Sequence, residues 1–270
     1  MDKEFLTRDE YQKFLLELLE ARDFVRLRRE LSDDNAADLA DFIEELPEDE
    51  SAVVFRLLPK ELGAEVFAHL EFDAQQNLAA AFSDREVAEV LEKLFVDDAV
   101  DFLEEMPASV VKRVLALTDS EKRSTLNHFL QYPEDSAGSI MTSEFTNLKK
   151  TMTVREAIDY LRRRGEDRET IYTCYVIDAE RILEGVISVK TLLLASDEEI
   201  VGDLMETDVI KVHTLDDQED VAAAIHMYNF LALPVVDNEN RLVGIVTVDD
   251  AVDVLQEETT EDFEKMAAMV

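Results

Sequence analysis

Apolar positions in residues 1–140 recur three and four apart in short runs, such as Val87-Ala-Glu-Val-Leu-Glu-Lys-Leu94, each soon interrupted. That spacing predicts amphipathic helices rather than strands. Helix-start residues return about every dozen positions: near Asp34-Asn35, Glu48-Asp49, Pro59, Asp73, Ser83-Asp84, Asp97-Asp98, Ser109 and Asp119-Ser120. Two stretches resemble each other, Asp38-Leu-Ala-Asp-Phe-Ile-Glu-Glu-Leu-Pro47 and Asp98-Ala-Val-Asp-Phe-Leu-Glu-Glu-Met-Pro107. Short helices repeated in this way predict a solenoid, in which each unit buries its apolar face against its neighbours.

The texture changes after Tyr132-Pro-Glu-Asp-Ser-Ala-Gly138, where strand-like apolar runs begin to alternate with helical ones. Two halves overlay. Ser139-Ile-Met-Thr142 matches Asp203-Leu-Met-Glu206, and the helix around Val154–Leu161 matches Asp220–Met227. Tyr175-Val-Ile-Asp178 matches Pro234-Val-Val-Asp237, and Leu183-Glu-Gly-Val-Ile-Ser188 matches Leu242-Val-Gly-Ile-Val-Thr247. Each half reads strand, helix, strand, turn, strand, helix, and the first carries a few extra residues near Gly165–Thr170. A last helical pattern begins after Gly244-Ile-Val-Thr-Val248. Its carboxylates at 250, 253, 257, 261 and 264 fall on one helix face. Like charges at that spacing cost about 0.2–0.5 kcal/mol each. The face is either merely solvated or built to meet a cation.

Charge sharpens the second alternative. The 270 residues carry a formal net charge of −36, and a third of them are charged. Residues 1–140 hold 34 acids against 15 bases, residues 141–200 hold 12 against 9, and residues 201–270 hold 17 against 3. Two acidic blocks therefore flank a nearly neutral one, and they repel if they face each other. Nucleic acid is excluded as a partner, because phosphate binding needs clustered Lys and Arg. Anionic lipid is disfavoured for the same reason. The one cysteine, Cys174, sits in an apolar run and reads as a reduced core thiol, with no disulfide framework. No signal peptide opens the chain, and no apolar stretch approaches the ~18 residues of a membrane span. These features point to the cytoplasm.

No enzyme motif is present: no HExxH, CxxC, P-loop or nucleophile elbow. The four histidines lack ligand spacing. Carboxylates without His or Cys suit hard cations with oxygen ligands, and magnesium takes only one or two carboxylates directly while keeping several waters. The leading candidates are Asp250, Asp253, Glu258 and Glu261 on the last helix. Asp97 and Asp101 form an i,i+4 pair, Glu65 lies in the helical region, and Glu219 opens a helix; each of these alone reads as a helix-start or surface acid.

The apolar-apolar-Asp turns and the Gly-x-x-Ser/Thr steps of the two halves resemble a tandem pair of CBS domains. The whole order is more specific. An acidic helical region, then Tyr132-Pro-Glu-Asp-Ser-Ala-Gly-Ser-Ile-Met-Thr142, then the CBS pair, then the acidic helix from Val246 resembles the cytosolic part of MgtE-type magnesium transporters. The resemblance implies an α plus α/β multidomain chain. Residues 1–135 would form an all-α superhelical solenoid, 136–200 and 201–255 the two CBS domains, and 256–270 the start of a connecting helix. That helix would lead to a transmembrane domain beyond Val270, at the cytoplasmic face of the membrane. The resemblance further implies a magnesium-sensing regulatory region rather than an enzyme, working as a homodimer. Mg2+, or another hard divalent cation, would bind at positions matching Asp97, Asp101, Asp250, Asp253, Glu258 and Glu261. Glu65 and Glu219 carry over as well, although the second acid of the Glu219 site falls at Asn229. Nucleotide-binding CBS domains hold ribose hydroxyls with Thr-x-x-Asp. Thr247 and Asp250 keep that spacing, whereas the first half has Ser188 and Thr191, so ATP or a related adenosine nucleotide is a rival ligand. A third alternative is a scaffold for a basic protein partner.

Overall fold

The structure, a computed structural model, describes residues 7–165 and 168–268, with the side chains of Glu257 and of residues 261–268 outside the described set. Contacts divide the chain into two compact units. One comprises Met1–Leu94 and Phe102–Ser124, the other Phe95–Asp101 and Thr125–Val270.

The first unit is helical. It holds α1 (Arg8–Glu20), α2 (Phe24–Leu31), α3 (Ala36–Glu44), α4 (Glu48–Phe55), α5 (Lys60–Ala68), α6 (Phe72–Ala81) and α7 (Asp84–Leu91). The end of α8 (Val96–Glu104), all of α9 (Ala108–Leu115) and the start of α10 (Ser120–Phe129) complete it. The helices begin where local chemistry directs. Asn35 accepts the Ala37 N–H at 3.0 Å, and Ser83 with Glu86 forms a reciprocal capping box. Pro47, Pro59 and Pro107 stand just before α4, α5 and α9, where a missing N–H costs the helix nothing. Helices pack on next-but-one neighbours, α3 on α5, α5 on α7, α7 on α9, and α4 on α6, which produces the two rows of a solenoid. Phe42 and Phe102, the same position in the two similar stretches, are both buried. Phe67 lies edge-on to Phe55 and Phe102 at 6.1 and 5.1 Å, and such aromatic pairs add about 0.5–1.5 kcal/mol beyond area burial. Exposed pairs such as Arg56–Glu86, Lys60–Glu89 and Arg113–Asp84 tie neighbouring helices, each worth no more than about 1 kcal/mol.

The second unit contains two three-stranded sheets. β1 (Phe145–Leu148) runs parallel to β2 (Thr170–Ile177), which is antiparallel to β3 (Leu183–Ser188). β4 (Val212–His213), β5 (Ala232–Val236) and β6 (Leu242–Thr247) repeat the arrangement. Helices α11 (Val154–Arg164) and α14 (Gln218–Tyr228) provide the parallel crossovers, and α12 (Val189–Leu194) and α15 (Val248–Ala268) follow the hairpins. The short α13 (Val201–Leu204) leads into the second half. The expected connecting helix is continuous with the last helix of the second half, both being α15.

Each half lends its leading segment to the other. Thr142 exchanges backbone hydrogen bonds with Ile245 of β6 at 2.8 and 2.9 Å, and Glu206 exchanges them with Val186 of β3 at 2.8 and 2.9 Å. This exchange explains the repeated glycine. A Cβ on Gly185 would stand 2.7 Å from the Glu206 carbonyl, and one on Gly244 would stand 2.8 Å from the Thr142 carbonyl. Phe145, Tyr175, Leu183, Val236, Leu242 and Ile245 form one core fed by both sheets. Cys174 is fully buried in the neighbouring core, and burial pushes its thiol up to about 12, as expected for an inert reduced cysteine. Among the described residues, no helix is long and apolar enough to cross a membrane.

Candidate functional site

The second half of the sheet unit ends β6 at Thr247, where the chain turns directly into α15. Asp250, in the first turn of that helix, sits where the positive end of the helix dipole favours a carboxylate. The Thr247 hydroxyl donates to Asp250 Oδ2 at 2.5 Å, and the Thr247 backbone N–H donates to the same oxygen at 3.2 Å. No hydrogen bond engages Asp250 Oδ1 among the described residues. At the matching corner of the first half, Ser188 Oγ accepts the Thr191 N–H at 3.0 Å and hydrogen-bonds Thr191 Oγ1 at 2.8 Å. That corner is a neutral helix cap; the second is an anionic one.

The segment Phe95–Asp101 belongs to this same unit and brings Asp97 to the anionic corner. Asp97 is 5% exposed, and its Oδ1 accepts the Asp98 N–H at 3.0 Å. Burial raises its pKa well above the ordinary carboxylate range, and Asp250, Asp98 and Glu169 raise it further. Burial also raises Asp250, with Asp249 and Asp253 adding to the rise and the two Thr247 donors opposing it. Glu169, just before β2, is pushed up to about 8 by burial and then by Asp249, Asp250, Asp98 and Glu144. The strongest charges acting on these three groups are all anionic. An all-oxygen donor set whose main electrostatic neighbours are acids suits a hard divalent cation. Among the described residues, no three acids, histidines or cysteines are close enough to enclose an ion by themselves.

The other candidates are exposed or half-buried, or their side chains lie outside the described residues. Asp101 and Asp253 are exposed on α8 and α15, although Asp253 still acts on Asp250. Glu258 is half-buried, 3.5 Å from Gln218 Nε2, which also reaches Asp135 at 3.3 Å. The side chain of Glu261 lies outside the described residues. Glu65 is exposed on α5 of the helical unit. Glu219 is exposed in the first turn of α14, its N–H donating to Asp217. Asn229, which stands where a second acid would complete that site, caps α14 in the left-handed region at φ 54° and ψ 43°. An amide there serves the helix end. Sequence reasoning missed Glu169. It lies in the stretch by which the first half exceeds the second, and its nearest acidic neighbours are remote in the chain.

Family models match the MgtE intracellular N domain over residues 34–135 and the CBS domain over residues 137–198 and 201–257. Magnesium transporter MgtE of Thermus thermophilus is 40% identical over 259 residues, 94% of this chain and 57% of that protein. Magnesium transporter MgtE of Bacillus subtilis is 36% identical over 231 residues, 86% of this chain and 51% of that protein. The chain spans about half the length of these relatives. Among solved structures, the soluble part of a magnesium transporter matches with a TM-score of 0.89 at 34% identity, covering 93% of this chain and 99% of that one. The cytosolic domain of the Mg2+ channel MgtE in complex with ATP matches with a TM-score of 0.83 at 40% identity, covering 89% and 98%.

Proposed function

The chain belongs to the MgtE family of magnesium transporters, and on that premise we propose that it is a magnesium-sensing regulatory region that governs a pore beyond its C-terminus. Two relatives that match most of the chain are magnesium transporters, and the role proposed is one of binding rather than catalysis. The observation that carries the reading is Asp97, a buried acid whose main electrostatic neighbours are the acids Asp250, Asp98 and Glu169. Folding such a group ionised costs several kcal/mol unless a cation shares it. Asp97 and Asp250 would hold the ion, with Glu169 beside them. Asp101, Asp253, Glu258, Glu261 and Glu65 would add weaker outer sites on the acidic faces of the helical and CBS regions.

Weak sites are enough for a switch. Shifting a two-state equilibrium from 1:99 to 99:1 takes about 5.5 kcal/mol. One site filled at about tenfold over its dissociation constant supplies roughly 1.4 kcal/mol. About four such sites, specific to the compact state, meet the need, and weak affinity suits an abundant ion. Cations shared between acids of the two regions would remove their repulsion and let the regions draw together, which would reposition α15 and the pore that follows it. The region would lie at the cytoplasmic face of the membrane. It would work as a homodimer, for which the exposed Leu193, Leu194 and Met227 at the ends of α12 and α14 supply apolar surface.

A second ligand is favoured by a separate observation: a relative 40% identical is solved with ATP. Thr247 and Asp250 provide one Thr-x-x-Asp corner for a ribose diol. The test of the main reading is small-angle scattering. Millimolar magnesium chloride should shrink the radius of gyration, and sodium chloride at matched ionic strength should do much less, because screening is not coordination. Equal responses to the two salts would reduce the acids to a general charge effect.

A further inference from the structure

We propose that Thr247 is the positioning residue of the cation site, holding Oδ2 of Asp250 on the N-terminus of α15 so that Oδ1 alone is left to meet the ion. The inference rests on the reading of Asp250 as a cation ligand. Thr247 is 4% exposed and is fixed at the end of β6, a strand hydrogen-bonded to β5. Its hydroxyl and its backbone N–H both point to one carboxylate oxygen, at 2.5 and 3.2 Å. A carboxylate clamped through one oxygen cannot spin about its Cβ–Cγ bond without breaking both hydrogen bonds. It therefore presents a single oxygen in one direction, without the ordering cost that a free Asp side chain would bring to binding. The direction matters here because Asp97 is buried and cannot reorient to follow a moving partner.

The first half supplies an internal control. Ser188 caps α12 in the same place, but it bonds a threonine, so its hydroxyl orients no charge. A pure capping role predicts the same consequence at both corners, a loss of stability of similar size. A positioning role predicts a consequence for magnesium at Thr247 alone.

The experiment measures protease protection of the whole chain against magnesium chloride concentration, with thermal unfolding in chelator alongside. Thr247→Val should raise the half-protecting concentration about tenfold, the lower end of what loss of an outer-shell partner costs a metal site. Thr247→Ser should restore the parent response, and Ser188→Ala should leave it unchanged while lowering stability in chelator. Added to Asp250→Asn, Thr247→Val should produce no further shift, since the group it positions is gone. If valine prevents folding, Thr247→Ala reads the same lost hydroxyl without branched bulk. A parent-like midpoint in Thr247→Val, with Asp250→Asn shifted, would overturn the positioning role and leave the site standing. Parent-like midpoints in both variants would remove the site as well.

Discussion

The two CBS halves share a backbone plan and differ in what they do with one corner. In both, a glycine strand accepts a leading segment exchanged from the opposite half, and a hydroxyl residue ends the last strand. In the first half that hydroxyl meets Thr191 and the corner is neutral. In the second it meets Asp250, and the segment Phe95–Asp101 brings Asp97 to the same unit. The fold is thus duplicated and the charge is not. The comparison separates what the architecture requires, which both halves must keep, from what the site requires, which only one keeps.

The largest effects should strike what is shared. Gly185→Ala and Gly244→Ala each force a Cβ under 3.0 Å from a backbone carbonyl of the exchanged segment. Both should cost about 1–3 kcal/mol in chemical denaturation, and by similar amounts. A large cost in one half alone would break the symmetry argument.

Next come substitutions that should separate the halves. Asp250→Asn should raise the half-protecting magnesium concentration about tenfold, or roughly 1.4 kcal/mol. Thr191→Asp, which copies the acid into the first half, should create no new magnesium response, because among the described residues no acid besides Asp97 is buried. A gain of response there would mean the cap by itself makes a site.

Asp97 can be compared with its own twin in the helical repeat. Aligning Asp38–Pro47 with Asp98–Pro107 puts Ala37 at the position of Asp97, and Ala37 is exposed. In chelator, Asp97→Asn should stabilise the fold by about 1 kcal/mol, because it removes a buried like charge, and it should blunt the magnesium shift. Ala37→Asp should stay within about 0.5 kcal/mol of the parent.

The smallest expected effect is the pH dependence from Glu169, which is only partly buried. Its folded pKa is raised to about 8, so the folded chain keeps a proton that the unfolded chain has released above the ordinary carboxylate range. Stability in chelator should therefore fall as pH rises from about 4.5 to about 8. Glu169→Gln should flatten that slope in thermal melts at a series of pH values, and a slope unchanged by the substitution would assign it elsewhere.

Much of the molecule was legible in the residue order, because the forces involved are local. Caps such as Asn35 and Ser83, prolines before α4, α5 and α9, and the three-and-four apolar spacing set the helix starts within a few residues of their own positions. The duplicated Gly-x-x-Ser/Thr step announced the two halves, and the MgtE resemblance that followed is borne out by the family matches. The acidic face of α15 was visible for the same reason, since helical periodicity alone lines up Asp250 and Asp253.

Only the tertiary structure decided which acids feel one another. Asp97 and Asp101 look alike as an i,i+4 pair, yet one is buried and the other exposed, depending on what covers each face of α8. Glu169 carries no motif, and its site exists because β2 starts where Asp98, Asp249 and Asp250 are brought near. Asn229 stands where a second acid would complete the Glu219 site, and only the backbone reveals that it closes a helix in the left-handed region. Periodicity along a chain states which side chains share a face. Desolvation and Coulomb repulsion depend on what approaches that face from a remote part of the chain, and that information appears only when the chain has folded.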